Sequence, residues 1–413
     1  MIKNKEILIP QLLFFMFIGS LGSFINFINL YLSQVVGLPA SQIGFITSIG
    51  LITTVVMNPI WGYLADKTGK HILILKMAFL SAAGIGALYY GARSFLLILI
   101  VVILFESLRA PMMPMLEYIS SNYCEKYQYD FGKVRVFGSW GFLLVAMATG
   151  FMVAGLELEL FGRTLGFDGF ISLEFATFGI FIMMNVVAFI LLFLLPKADR
   201  KTRKVSAHHQ KTFGKQEVKE LLTNRRFVFI LVLTMIGFMT VESAYSYATM
   251  HLVETLGASA SIVSWMTFFM VVPEVILLPL GTGLTLKFGF KNWYVFTFLT
   301  MILRLGIAVF ATSPLLFAVS GTVHALMIVM HTIGTIAYIR KVVSPNALGL
   351  AFTMLASSIA LSRATLSFIF GWIYENMNSF ATFRIAALVV LVALVMAVKS
   401  KHLKEVGDEI GVI

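Results

Sequence analysis

Long apolar stretches alternate with short polar ones along almost the whole chain. A helix needs about 20 mainly apolar residues to cross the hydrocarbon core of a bilayer, because that core is about 30 Å thick. In lipid such a stretch must be helical, since each backbone amide needs a partner within its own segment. The pattern predicts twelve membrane-spanning helices, at residues 9–31, 43–65, 73–91, 95–119, 137–155, 175–195, 227–250, 262–286, 292–311, 314–339, 347–373 and 380–398.

Two of the polar loops resemble each other in sequence. The loop after the second predicted span reads GYLADKTGK, and the loop after the eighth reads TGLTLKFGF. Related loops in two halves of a chain are typical of transporters that arose by duplication. The matching positions, all separated by 220 residues, are Pro59 with Pro279, Lys67 with Lys287 and Gly69 with Gly289.

The composition excludes an ordinary soluble protein. Hydrophobic residues make up 59% of the 413 residues and charged residues only 12%, whereas a soluble domain carries about 25% charged residues. The single cysteine, Cys124, excludes an internal disulfide and a cysteine-based metal cluster. We therefore expect a multi-pass membrane protein without a bound metal.

The basic residues are distributed unevenly between the two sides of the predicted membrane. The N-terminus, the even-numbered loops and the C-terminus hold 24 of the 31 Lys and Arg, and the odd-numbered loops hold only Arg93 and Arg163. Positive charge accumulates in cytoplasmic loops, so both termini are predicted to be cytoplasmic. The membrane is expected to be the cell membrane. The net charge of +11 then reflects topology and anionic lipid headgroups, and we expect no nucleic-acid partner.

One long polar segment divides the twelve spans into two sets of six. It is rich in basic residues and separates the sixth span from the seventh. The predicted domains are an N-terminal six-helix bundle at 1–195, a basic cytoplasmic linker at 196–226, and a C-terminal six-helix bundle with a short cytoplasmic tail at 227–413.

Several ionisable side chains fall within the predicted spans. Each would cost about 3 kcal/mol in the membrane unless it is paired or faces water. We expect them to face one another or a hydrated cavity between the halves. The pair Glu106 and Arg109, three residues apart on one helix face, also fits a neutralised pair with a structural role only. The candidates are Glu106, Arg109, Glu242, Glu274, Arg304, His324 and Arg363.

The loop after the second span carries a recognisable signature. Its residues Gly62, Asp66, Lys67 and Gly69 resemble the loop motif of the major facilitator superfamily. That resemblance implies an all-α membrane protein with twelve transmembrane helices in two six-helix bundles, related by a pseudo-two-fold axis. It also implies that these four residues act in the conformational switch. The second loop has Leu286 at the position of Asp66, so the switch contact is expected in one half only.

A second resemblance covers most of the chain. The segment Asp130–Phe142, with sequence DFGKVRVFGSWGF, is similar to the start of span five in the lactose permease and 3-phenylpropionate permease groups of this superfamily. The stretches FFMVVPEVILL, LRLG, VHAL and YENMN are similar to later spans of the same groups. Both groups contain proton-coupled importers.

This resemblance implies roles for individual residues. Arg135 matches a substrate-binding arginine and Glu117 its acidic partner, while Phe142 stands where a tryptophan stacks on the sugar ring. Glu274 matches a substrate-recognition acid. Arg304 and His324 match members of the proton-coupling network.

The chain departs from the lactose permease pattern three residues after His324. The proton-carrying glutamate of that group is replaced by Met327, which cannot carry a proton. If transport is proton-coupled, Glu274, Glu106 or Glu242 must take this role, and we expect Glu274 to do so.

The expected function is secondary active transport by alternating access, with symport of protons and a sugar, glycoside or small aromatic acid. The expected partners are a small-molecule substrate and lipid, the coupling ion is the proton, no other cofactor is needed, and the protein is expected to be a monomer. A proton-driven exporter of amphipathic compounds is the alternative. A membrane-embedded sensor is less favoured, and so is an enzyme, because the chain lacks a nucleophile elbow and an HExxH motif. The chain also lacks a Walker loop, which argues against transport driven by ATP.

Overall fold

The computed structural model describes residues 5–160, 163–195, 215–277 and 280–403. The chain divides into two compact units. Unit 1 comprises Met1–Gln210 with Ala258–Thr267, and unit 2 comprises Lys211–Gly257 with Phe268–Ile413. The predicted domain limits at 195 and 227 stay a prediction, because much of the intervening segment lies outside the described residues.

Helices account for nearly all of the described chain. Within the described ranges, nine helices are long and apolar enough to cross a membrane, and three further apolar helices are shorter. Each of these helices overlaps one of the predicted spans, and the nine long ones are long enough to cross the membrane. The short helices are Phe175–Leu191, Ser261–Leu277 and Pro314–Val329.

Unit 1 is built on a close contact between its first and sixth helices. A Cβ atom at Gly22 would lie 2.6 Å from the carbonyl oxygen of Phe142, and one at Gly141 would overlap the carbonyl oxygen of Phe15. Small residues let helix backbones approach in this way. The helices of this part of the chain are α1 (Lys5–Gln34), α2 (Ala40–Thr68), α3 (His71–Gly91), α4 (Phe95–Arg109), α5 (Met112–Tyr127), α6 (Phe131–Ala154) and α7 (Ile180–Leu191).

An aromatic cluster fills the interior of unit 1. The Phe24 ring packs at 5.2 Å from the rings of both Phe105 and Phe181, and Tyr89 stacks on Phe178 at 5.1 Å. This cluster joins α1, α3, α4 and α7, and it holds the centre of α4 against its neighbours.

The sequence predicts only helices, but the part of the chain that the structure describes also contains a small sheet. Strands β1 (Leu156–Leu160) and β2 (Arg163–Phe167) form an antiparallel hairpin, with Leu156 opposite Phe167. The short alternation LELEL fits a strand. It lies between two spans, where a hydropathy analysis looks only for a loop.

Several helices of unit 2 contain π-helical turns. π-helical turns occur at Thr234–Phe238, His251–Thr255 and Met330–Gly334. The helices are α8 (Lys215–Thr223), α9 (Arg225–Leu233), α10 (Met239–Tyr245), α11 (Ala248–Met250), α12 (Ser261–Leu277), α13 (Gly281–Phe310), α14 (Pro314–Val319), α15 (Gly321–Val329), α16 (Thr335–Val342), α17 (Leu348–Asn376) and α18 (Ser379–Lys399). The division into units assigns the start of α12 to unit 1.

The two repeated loops each hold a glycine with a positive φ angle. Gly69 ends α2 with φ of 63° and ψ of 17°, which is the left-handed helical conformation. Gly289 interrupts α13 with φ of 72° and ψ of 156°, which is a different conformation. Glycine adopts a positive φ without steric cost, so the sequence repeat coincides with a glycine requirement at the same pair of positions.

Candidate functional site

A buried charged cluster lies within unit 2. Nη1 of Arg304 on α13 lies 2.8 Å from Nδ1 of His324 on α15, and the same ring nitrogen lies 3.7 Å from Oε1 of Glu242 on α10. Arg304 is 1% exposed. Three separate helices thus bring a cation, an imidazole and a carboxylate together.

Tyr245 completes this cluster and holds the arginine in two ways. Its ring lies under the guanidinium of Arg304, at 3.6 Å from ring centre to Cζ, and its hydroxyl donates to the backbone oxygen of Arg304 at 3.1 Å. The stacking provides cation–π attraction. Nε and Nη2 of Arg304 are buried and have no hydrogen-bond partner among the described residues.

The carboxylate that lies against His324 is that of Glu242. Glu274, the predicted proton carrier, lies partly exposed on α12. Met327, three residues after His324 on α15, is buried. The sequence identified Glu242 only as a general candidate and missed the stacking of Tyr245 on Arg304. The spacing of Glu242 and Tyr245, three residues apart on one helix face, was the available signal.

In unit 1 the predicted substrate-binding pair is in contact. Nε of Arg135 on α6 lies 3.4 Å from Oε1 of Glu117 on α5, and the two side chains are 45% and 41% exposed. Phe142 lies seven residues after Arg135, which is two helical turns, so both are on the same side of α6. Trp140 is on another side and is 45% exposed.

A second ion pair in unit 1, between Glu106 and Arg109, is less exposed than the pair of Arg135 and Glu117. Oε2 of Glu106 accepts from Nη2 of Arg109 at 2.6 Å and from Nε of Arg109 at 3.2 Å. The hydroxyl of Thr54 on α2 donates to the same oxygen at 2.9 Å. The pair lies at the end of α4, just before Pro111.

The remaining predicted residues are in separate places. Arg363 is partly buried on α17. Lys67 is exposed and lies over the ring of Tyr63 at 5.5 Å. A Cβ atom at Gly62 would contact no described atom within 4 Å, so close helix approach is not evident there. The side chain of Asp66 lies outside the described residues.

The described residues contain no group of three or more His, Cys, Asp or Glu side chains that could hold a metal ion. The clusters above are pairs or triads of acids and bases. They can bind protons, hydroxyls or carboxylates through charge-assisted hydrogen bonds.

Comparison with known proteins points to transport. The model of the MFS_1 like family matches residues 8–385. The chain is 25% identical over 401 residues to the uncharacterized transporter YwbF of Bacillus subtilis, covering 94% of this chain and 93% of that protein. It is 23% identical over 401 residues to a maltose permease of Geobacillus stearothermophilus, covering 96% and 95%. It is 21% identical over 386 residues to a probable 3-phenylpropionic acid transporter of Escherichia coli, covering 94% and 96%.

Solved transporter structures share the fold. The nucleoside transporter NupG superposes with a TM-score of 0.81 at 15% identity, covering 96% of this chain and all of that one. A D-xylose-proton symporter superposes with a TM-score of 0.63 at 16% identity, covering 95% and 96%. At these identities the likeness is one of architecture.

Proposed function

We propose that this chain, which belongs to the MFS_1 like family, is a secondary active transporter that couples uptake of a small organic molecule to protons by alternating access. The observation that carries the proposal is the cluster of the buried Arg304 and His324 with the partly exposed Glu242. Ionisable groups buried in a membrane protein are costly to keep, and in transporters they mark substrate and proton pathways.

The proposed substrate is a sugar, a glycoside or a small aromatic acid. A maltose permease and a probable 3-phenylpropionic acid transporter are among the relatives, which supports both classes. The exposed pair Arg135 and Glu117 offers donors and acceptors together, as a hydroxylated substrate requires. Phe142 offers a flat apolar face on the same side of α6.

Proton coupling is proposed to involve Arg304, His324 and an acid. Arg304 and Glu242 together carry no net charge, with His324 between them. Protonation of the acid leaves the buried guanidinium uncompensated, and an uncompensated buried charge costs about 3–5 kcal/mol. This penalty would link proton binding to a rearrangement of the unit. Glu274 remains the first candidate for the proton carrier, and Glu242 and Glu106 are the acids to compare with it.

The test is accumulation in proteoliposomes with an imposed pH gradient, comparing maltose with 3-phenylpropanoate. An importer accumulates one of these when the outside is acidic and loses the accumulated pool when a protonophore is added. Uptake that only equilibrates the substrate would contradict proton coupling. Substrate extrusion driven by the same gradient would favour the exporter.

Two variants separate binding from coupling. Arg135→Ala should abolish substrate binding, because it removes the guanidinium beside Glu117. Glu274→Gln should abolish proton-driven accumulation yet retain exchange of labelled for unlabelled substrate. Normal affinity in the first variant, or undiminished accumulation in the second, would remove that residue from its proposed role; Glu242→Gln is the matched comparison.

The proposed setting is the cell membrane, with both termini cytoplasmic and a monomeric protein that needs no cofactor besides the proton. Cysteine labelling tests the orientation in a Cys124→Ser background. A membrane-impermeant maleimide should label Asp168→Cys in intact cells and Lys401→Cys only after permeabilisation, since both positions are exposed. The reverse pattern would invert the topology.

A further inference from the structure

We propose that Glu106 and Arg109 form a binding site for a substrate carboxylate, in which Glu106 takes up a proton as the carboxylate binds to Arg109. The proposal rests on the transport function proposed above, assigns the proton taken up on binding to Glu106 in place of Glu274, and narrows the substrate class to small carboxylic acids in their ionised form. The site lies within unit 1 and is separate from the exposed pair of Glu117 and Arg135.

The hydrogen bonds of this pair are unevenly distributed over the carboxylate. All three donors, two from Arg109 and one from Thr54, converge on Oε2 of Glu106. Oε1 receives no donor from the described residues, so it is the oxygen open to a proton. The side chains of Arg109 and Glu106 are 22% and 15% exposed, which is enough for a small ligand to reach them yet shields their charges from bulk water.

Charge balance couples the binding of a proton by Glu106 to the binding of a substrate carboxylate by Arg109. With Glu106 ionised, the pair is neutral and Arg109 has its partner. With Glu106 protonated and a substrate carboxylate on Arg109, the site is neutral again. The third state, in which Glu106 is protonated and no substrate is bound, leaves a shielded guanidinium alone, and such a state is strongly disfavoured. The proton and the carboxylate therefore bind together.

Among the described residues, the pair has no further charged side chain as a partner. The residues that reach the pair from α2 are Thr54 and, through the backbone of Ser107, Trp61, and both are neutral. From α3 the phenol of Tyr89 lies within electrostatic range of Glu106 and Arg109. Lys67 on α2 is thirteen residues beyond Thr54, or about 20 Å along the helix axis.

Calorimetry on the purified full-length protein measures the exchange directly. 3-Phenylpropanoate is titrated at several pH values between 6.5 and 8.5, in buffers with different ionisation enthalpies, and 3-phenylpropanamide serves as the uncharged counterpart. The ligand remains ionised throughout this range. The wild type should take up about one proton per carboxylate bound, and Kd should therefore rise about tenfold per pH unit across this range.

Glu106→Gln should bind 3-phenylpropanoate without proton uptake and with a Kd that does not change with pH. Arg109→Gln should lose at least tenfold in affinity. The double variant Glu106→Gln with Arg109→Gln carries no unpaired charge, so it should fold while losing both carboxylate binding and proton uptake. The matched control is Glu174→Gln, which breaks the 2.6 Å pair with Arg93 elsewhere in unit 1 and should retain the wild-type proton uptake.

Proton uptake that persists in Glu106→Gln would overturn the proposal, as would carboxylate binding by the wild type without proton uptake. A wild type that binds maltose but not 3-phenylpropanoate would overturn it too, while leaving the transport function intact. Conversely, proton uptake on binding without any accumulation in proteoliposomes would contradict the proposed transport function and leave this site standing.

Discussion

The indole Nε1 of Trp61 donates a hydrogen bond to the backbone oxygen of Ser107 at 2.7 Å. Ser107 lies four residues before Pro111, and proline has no N–H to donate to that oxygen. In an uninterrupted helix the oxygen of Ser107 would accept from residue 111. Trp61 on α2 thus replaces the hydrogen bond that Pro111 removes, next to the ion pair of Glu106 and Arg109.

Trp61→Phe should destabilise the protein because it leaves this oxygen without a donor. A buried unsatisfied group costs about 1–3 kcal/mol. The measurement is reversible unfolding in detergent micelles, combined with Pro111→Ala in a double-mutant cycle. Alanine restores a backbone donor at 111, so the loss from Trp61→Phe should be smaller in the Pro111→Ala background. Equal losses in both backgrounds would show that Trp61 acts only through packing.

Gly22→Ala should destabilise unit 1. Its new Cβ would lie 2.6 Å from the carbonyl oxygen of Phe142, so α1 and α6 would have to separate. Overpacking of this kind costs about 1–3 kcal/mol. Gly84→Ala on α3 is the control, since a Cβ there meets no described atom within 4 Å and alanine favours the helix. Gly22→Ala should lower the midpoint temperature of thermal unfolding by several degrees, whereas Gly84→Ala should leave it unchanged or raise it.

Tyr245 should matter chiefly through its ring. Tyr245→Phe removes one hydrogen bond to the backbone of Arg304 and keeps the stacking, so accumulation should fall modestly. Tyr245→Leu removes the stacking at 3.6 Å and should lower the accumulation rate at least tenfold. Arg304→Lys should resemble the second variant, because an ammonium cannot reproduce a planar, stacked guanidinium. Equal effects of the Phe and Leu variants would contradict this account.

Gly69→Ala should destabilise the protein by about 1 kcal/mol, the cost of a left-handed backbone for a residue with a Cβ atom. Gly289→Ala should cost about 1–3 kcal/mol, because φ of 72° with ψ of 156° is a combination that essentially only glycine adopts. Asparagine tolerates the left-handed conformation better, so Gly69→Asn should recover part of the loss. Unfolding measurements on the three variants test this. A Gly289→Ala variant with unchanged stability would show that the kink in α13 relaxes. The two repeated positions would then differ in their need for glycine.

The hydropathy pattern was sufficient to predict the helical membrane fold, because each span is an independent segment that lipid forces into a helix. The resemblance to the major facilitator superfamily is confirmed by the match over residues 8–385 and by the full-length transporter relatives. The hairpin of β1 and β2 was missed, because the membrane places no such constraint on a loop.

The candidate sites were harder to derive from sequence. Glu106 and Arg109 are neighbours on one helix, so their pairing was predictable, but the third donor, Thr54, comes from another helix 52 residues away. Arg304 and His324 were singled out from the resemblance, whereas the contact with Glu242 depends on how three helices rotate about their axes. Sequence periodicity fixes that rotation only while each helix remains regular. The roles of all these residues in binding and coupling stay predictions.

The wide turn at Thr234–Phe238 determines what Glu242 can reach. A π-helical turn holds one residue more than the surrounding α-helix, and each added residue rotates everything after it by about 100° about the axis. Glu242 and Tyr245 follow directly on α10. If this turn relaxed to α-helical geometry, both side chains would swing a quarter of a revolution away from the guanidinium and imidazole they now contact. The contacts within the charged triad of unit 2 therefore depend on the π-helical geometry of this one turn.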